Sequence, residues 1–240
     1  MIRIGVFGYS GRMGRLIADE ILALPNATFS GGVVRTLKPE YQRTDNIPVT
    51  TDAEAIITAS DVVIDFASAE STPRYAALAA SHRKAYVCGV TGLDAPTIDV
   101  LKTAAQSTPV LYAPNTSLSL AAMKQITALA ALLLGGFDYD VAILDEHHRM
   151  KKDAPSGTAK ALGDAILAAN GGKKVPQYAA IRAGHIVGEH EVTFNGNGET
   201  IRLRHSVTDR RIFARGAVEA ALWLAGKPTG FYGMDNVLKI

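Results

Sequence analysis

The stretch Asp145-Glu146-His147-His148-Arg149-Met150-Lys151-Lys152-Asp153-Ala154-Pro155-Ser156-Gly157-Thr158 concentrates imidazoles, cations and a helix start. Imidazole and ammonium groups exchange protons in the range where enzymes work, so general acid–base chemistry is expected here. A strand running through 139–147 sends alternate side chains to opposite faces, so the neighbours His147 and His148 need different roles. Pro155 to Thr158 opens a helix, and its first amides, with the hydroxyls of Ser156 and Thr158, make a ready carboxylate site. A small dicarboxylate is the ligand class that suits it. Zinc is the competing reading of the histidine pair. Adjacent histidines lack the i,i+4 spacing of a helical metal pair, and Cys88 is the only cysteine, so no metal is expected. Arg149, Lys151 and Lys152 alone would read as an ordinary basic loop; the anion-binding helix start beside them argues for substrate.

A second constellation lies near the start of the chain. Gly8-Tyr9-Ser10-Gly11-Arg12-Met13-Gly14 falls between a first strand and a first helix, where glycines let backbone amides approach a pyrophosphate at the positive end of the helix. Ser10 takes the place of the middle glycine of the usual G-x-G-x-x-G pattern, and a plain strand-to-helix turn is the alternative reading. The second strand ends Val33-Val34-Arg35-Thr36. An enzyme preferring the non-phosphorylated cofactor usually carries an acid there, whereas Arg35 can pair with a 2′-phosphate, with Arg12 as helper. NADPH is therefore the expected cofactor, with NADH second; a solvated strand-end charge is the plainer account of Arg35.

These groups need elements to hold them. Short β-branched runs at 2–7, 28–34, 62–66, 85–88 and 109–112 alternate with helical patterns at 12–24, 53–59, 72–82 and 96–106, the signature of a parallel sheet with crossover helices. Ala113-Pro114-Asn115-Thr116-Ser117 breaks the pattern as a hinge. Beyond it come a helix at 118–134, a strand at 139–145 and a helix from Ser156 to about Asn170, stopped by Gly171-Gly172. Strands follow at 178–183, 186–194 and 200–208, the last two flanking the hairpin signal Asn195-Gly196-Asn197-Gly198. A helix over about 212–225 ends the series. The expected fold class is α/β: a Rossmann-like, doubly wound parallel sheet over 1–116, completed by 210–240, plus a smaller α+β domain over 117–209 with a mixed or antiparallel open sheet.

Composition narrows the function classes. A formal net charge of +2 with no basic run longer than a pair excludes a nucleic-acid footprint. The longest apolar stretch, Ile126 to Leu134, is far too short to cross a bilayer, so no membrane partner is expected. The opening residues lack a signal-peptide pattern, and one cysteine allows no internal disulfide, both consistent with a cytoplasmic location.

Jointly, several segments closely resemble the dihydrodipicolinate reductase family over nearly the whole chain. They are Gly11-Arg12-Met13-Gly14, Asp65-Phe66, Gly89-Val90-Thr91-Gly92, Glu146-His147-His148-Arg149 with Lys151, Asp153 to Thr158, and Arg182-Ala183-Gly184-His185-Ile186-Val187-Gly188-Glu189-His190. The resemblance implies 4-hydroxy-tetrahydrodipicolinate reductase activity: reduction by NADPH or NADH that yields tetrahydrodipicolinate after loss of water, in the diaminopimelate route to lysine. It implies that His147 transfers a proton, that Lys151 donates one as hydride arrives, and that His148, Ser156, Gly157, Thr158 and Thr91 bind substrate. Gly8, Tyr9, Ser10, Gly11, Arg12 and Met13 match the pyrophosphate loop. Gly89, Val90 and Thr91 match the stretch beside the nicotinamide, and Ala113, Pro114, Asn115 and Thr116 the interdomain cofactor segment. A homotetramer built through the sheet at 178–208 is implied as well. Three positions depart from the family. Met150 replaces a polar residue, the segment from Gly172 to Ile181 is short and lacks an Arg/Gly-rich loop, and Arg35 stands where acidic residues occur.

Overall fold

The computed structural model describes residues 1–43 and 45–238. The chain divides into two units: Met1–Ser117 with the segment from Arg211 onward, and Leu118–Arg210.

In the first unit, β1 (Ile2–Phe7), β2 (Ala27–Val33), β3 (Val49–Thr50), β4 (Val62–Asp65), β5 (Ala85–Cys88) and β6 (Pro109–Tyr112) are parallel, joined at the edge by the later strand β11 (Gly230–Tyr232). Their order, β11-β6-β5-β4-β1-β2-β3, contains the Rossmann order 3-2-1-4-5-6. The inner strands are buried on both faces, which is why β5, and β4 up to Asp65, read as apolar runs rather than alternating ones. Helix α1 (Arg12–Leu22) buries Gly14, Ile17, Ala18 and Ile21, one stripe at helical spacing. It packs against α7 (Arg211–Leu224), so a helix from the far end of the chain completes this unit. Gly216 lets α7 also lie close to the segment after β6, since a Cβ there would lie 1.8 Å from the Thr116 carbonyl oxygen. Helices α2 (Ala53–Ala59), α3 (Thr72–Ser81) and α4 (Ala95–Ala104) supply Ile56, Ile57, Ala76, Ala79 and Leu101 to a core with Phe7, Val63 and Tyr86.

The second unit holds α5 (Leu118–Leu134), β7 (Asp140–His147), α6 (Gly157–Ala169), β8 (Gln177–Arg182), β9 (Gly188–Gly196) and β10 (Glu199–Val207). Its sheet runs β10-β9-β7-β8, parallel only between β7 and β8, so it is mixed. Helices α5 and α6 bury Leu120, Met123, Leu162 and Ile166 against Val141, Ile143, Val192 and Phe194 of one sheet face. Each such side chain contributes roughly 1.5–3 kcal/mol. The opposite face carries Ala142, Leu144, Ala179 and Ile181 by strand alternation.

Boundaries moved where hydrogen bonds decided them. The fourth strand ends at Asp65 rather than 66, because its carboxylate accepts the Ala67 amide at 2.8 Å and turns the chain. Strand β7 continues to His147 rather than 145, since pairing with Arg182 of β8 still holds it. Strands β3 and β11 and the short α8 (Met234–Val237) carry too few residues to show a period and were not foreseen.

Candidate active site

In the first unit, a set of glycine-containing turns is built at the carboxyl ends of the parallel strands. Gly8 leaves β1 with φ +76°, and a Cβ there would lie 2.6 Å from the Phe66 carbonyl oxygen, so the turn requires glycine. Gly11 caps α1 without a side-chain hydrogen bond, and the first turn holds no acid, which leaves its amide end open to an anion. Gly14 sits where a Cβ would meet the Gly8 carbonyl at 2.3 Å. Backbone rather than side chains therefore lines this turn, the cradle a dinucleotide pyrophosphate needs. Tyr9 is buried with its ring 5.7 Å from that of Phe29, whereas Ser10 and Met13 are half-buried and Arg12 and Arg35 exposed. Gly89 and Val90 follow β5, with Thr91 exposed beyond them; the Gly89 amide donates to Asp65, and a Cβ at 89 would strike the Phe66 ring at 2.2 Å. After β6, Ala113 donates to Cys88, Asn115 accepts the Ser117 amide, and the Thr116 hydroxyl bonds to Phe213, with Pro114 exposed between them. Beneath these loops Asp65 is buried and accepts Tyr86 Oη at 2.5 Å and Thr72 Oγ1 at 3.0 Å. Burial raises the Asp65 carboxyl, and these bonds oppose the rise.

The histidine cluster lies wholly in the second unit. Alternation along β7 puts Asp145 and His147 on one face, while register sets His190 of β9 opposite Asp145 and Arg182 of β8 opposite His147. All four side chains thus meet on the face covered by α6. Asp145 is fully buried; its Oδ2 accepts the Ser156 amide at 2.7 Å and Arg182 Nη2 at 2.8 Å. Its Oδ1 stands 2.8 Å from His147 Nδ1 and 3.4 Å from His190 Nε2. The His147 contact is close but bent, and neither of its atoms is in an aligned hydrogen bond. Ser156 caps α6 through its hydroxyl, which accepts the Ala159 amide, and the same hydroxyl lies 3.1 Å from His190 Nε2.

These placements set the charges. Burial works to raise the Asp145 carboxyl, but Arg182, the Ser156 amide and hydroxyl, and His147 together hold it below the usual carboxylate range. Burial draws His147 below the ordinary imidazole range; Asp145 pulls the other way, and Lys151 and Arg182 add to the lowering. His190 falls to about 4 through burial and then through His147. The carboxylate is thus the cluster's anion and Arg182 its cation, with both imidazoles neutral near pH 7.

Lys151 lies in the turn after β7, where its amide donates to His148 and its Nζ pairs with Asp153 at 2.8 Å. His148 follows the last residue of β7 and, like His147, is half-buried. Gly157 and Thr158 form the first turn of α6, as the helix-start reading expects. Asp145, His147 and His190 also have the atom spacing of a metal triad. Arg182 already neutralises the same carboxylate through Oδ2, so a cation at Oδ1 would face the guanidinium's charge without an anion of its own, and the donor set does not favour one. The sequence reading gave Asp145, Arg182 and His190 no role. The Asp-x-His spacing was visible for the first, but the other two needed strand register.

Against known proteins, the profile described as "Dihydrodipicolinate reductase, N-terminus" matches residues 2–116 and that described as "Dihydrodipicolinate reductase, C-terminus" residues 119–238. The 4-hydroxy-tetrahydrodipicolinate reductase of Gluconobacter oxydans is 41% identical over 253 residues, covering 99% of this chain and 97% of that protein. That of Hahella chejuensis is 38% identical, covering 99% of each chain. Among solved structures, a dipicolinate-bound dihydrodipicolinate reductase from Paenisporosarcina sp. TG-14 shares the fold with a TM-score of 0.86, at 22% identity over 99% of this chain and 100% of that one. With both halves matched and relatives alike over their full length, the chain belongs to the dihydrodipicolinate reductase family.

Proposed function

We infer that the chain is a 4-hydroxy-tetrahydrodipicolinate reductase: after the hydroxylated ring loses water, the resulting cyclic imino dicarboxylate takes up a hydride and a proton to give tetrahydrodipicolinate, in the diaminopimelate route to lysine. The observation that carries this reading is the meeting of His147 and the Ser156 amide on one buried carboxylate, which puts a proton-transfer group beside a helix end suited to carboxylates. When bound, the reduced nicotinamide supplies the hydride. The amide end of α6, with Gly157, Thr158 and the Ser156 cap, grips a substrate carboxylate, and His148 and Thr91 contribute further substrate contacts. Lys151 delivers its ammonium proton where charge develops on the conjugated imine as hydride arrives. His147, kept neutral by burial, accepts and returns a proton, and an anionic substrate raises its proton affinity.

The first unit binds the cofactor through Gly8 to Met13, through Gly89 to Thr91 and through Ala113 to Thr116. Arg35 and Arg12, both exposed at the nucleotide end of the first unit, favour NADPH over NADH by pairing with a 2′-phosphate. The uncovered sheet face of the second unit, with Leu144, Ala179 and Ile181, serves a homotetramer. Among the described residues no helix is long and apolar enough to cross a membrane. The buried Cys88, its thiol pushed up to about 12 chiefly by burial, fits a reducing cytoplasm.

A coupled assay tests the reading. Purified protein should oxidise NADPH, and NADH more slowly, only when the upstream aldol-type synthase supplies the cyclic substrate. Turnover on an unrelated keto or imino dicarboxylate, with none on that product, overturns it.

A further inference from the structure

We propose that Asp145 is a positioning residue that locks the His147 imidazole in one tautomer and ties it to the amide end of α6, so that the proton-transfer group and the carboxylate clamp move as one. The proposal rests on the assignment of those two roles above. Asp145 is fully buried, and its two oxygens contact groups from three other segments: Ser156 at the start of α6, Arg182 on β8 and His190 on β9, besides His147 on its own strand. Removing the carboxylate would leave a buried guanidinium and a helix-cap amide without their partner.

The charge arrangement fixes the tautomer. Arg182 neutralises the carboxylate through Oδ2, and the second oxygen faces His147 Nδ1 at 2.8 Å. A carboxylate oxygen accepts but cannot donate, so the proton of a neutral imidazole belongs on Nδ1 and the lone pair on Nε2. The ring keeps 12% of its side-chain surface exposed, and Gly188 makes room for it: a Cβ there would lie 3.2 Å from His147 Nε2. The bent contact is one that can straighten when substrate engages, as catalytic hydrogen bonds do. Arg182 holds the carboxylate in turn, donating also to the backbone carbonyls of Asp145, Ile181 and Asp153. Other groups facing this ring are His190, whose ring centroid lies 5.2 Å away edge-on, and the Lys151 ammonium.

The test compares Asp145→Asn and Asp145→Glu with the parent enzyme. An amide keeps the shape but turns a donor toward Nδ1, so Asp145→Asn should lower kcat roughly 10- to 100-fold. It should also move the acid limb of the kcat/KM profile and leave the NADPH dissociation constant within about twofold. Asp145→Glu, which restores a carboxylate, should recover part of the loss. An unmoved pH profile, or a loss of kcat no larger than the loss of folded protein, overturns the proposal. Nitrogen NMR of ring-labelled histidine in the parent protein needs no variant to fold: His147 should be protonated on Nδ1 at pH 7.5, and protonation on Nε2 overturns the proposal. The tautomer is read whether or not the parent enzyme turns over the synthase product, so failure of the functional assignment is separable from failure of this one.

Discussion

A Cβ on Gly14 would lie 2.3 Å from the carbonyl oxygen of Gly8, so the first helix can approach the turn after β1 only where residue 14 has no side chain. The obstructing atoms are backbone, which cannot swing aside. Gly14→Ala should therefore deform the turn, costing about 1–3 kcal/mol of stability in the first unit and at least tenfold in NADPH affinity. Thermal melting and a fluorescence titration of NADPH check both. Gly11→Ala, whose Cβ would stand 3.2 Å from the same oxygen, should be milder; equal effects at the two positions would refute the steric account.

Lys151→Ala should lower kcat by roughly 10²–10⁴ while NADPH still binds, the usual size of a lost general acid. Since Nζ pairs with exposed Asp153, little stability should go with it. Steady-state kinetics with a binding control decide the matter, and near-parent turnover would remove Lys151 from the mechanism.

The proposed preference for NADPH rests on Arg35. Arg35→Ala should raise the KM for NADPH several-fold and leave that for NADH nearly unchanged, and Arg35→Asp should reverse the preference, since a carboxylate repels the 2′-phosphate and accepts ribose hydroxyls. Equal changes for both cofactors would mean that the side chain is only a solvated charge.

Acid should weaken the second unit in a defined window. His190 is drawn from 6.5 to about 4 in the folded chain, and His147 is lowered too, so between about pH 4 and 6.5 the unfolded chain binds more protons. Stability is therefore complete above that window and falls as pH drops through it, by roughly 3 kcal/mol from His190 alone. The depressed Asp145 carboxyl adds a loss at still lower pH. Urea unfolding at pH 7.5 and 4.5 measures the slope, and His190→Gln should flatten it.

The proposed tetramer has its own test. Ile181 is 44% exposed on the uncovered sheet face. Ile181→Glu should shift a tetramer toward smaller species in light scattering, because a buried unpaired carboxylate in an interface is costly. An unchanged mass would place the contact elsewhere.

Much of this molecule is local information and could be read along the chain. The glycine turn after β1, the helix start at Ser156 and the alternation of β7 depend on residues within a few positions of one another, so spacing alone revealed them. Residue types marked the stretch from Asp145 to Thr158 as the place for chemistry, and the family resemblance, not spacing, assigned His147, His148 and Lys151 their expected roles. Strands of two or three residues, such as Val49–Thr50 and Gly230–Tyr232, escaped because they form by adding to the edge of an existing sheet rather than by any pattern of their own. What only the tertiary structure decided is the setting of His147. Asp145 meets Arg182 from 37 residues away and Ser156 meets His190 from 34, contacts created by the register of β7 with β8 and β9. That register follows from packing Ile143, Val192 and Phe194 under α5 and α6, a collective fit of side chains distant in sequence. Residue types establish which groups can carry protons; which of them are buried together, and so which stay charged, follows from the packed sheet.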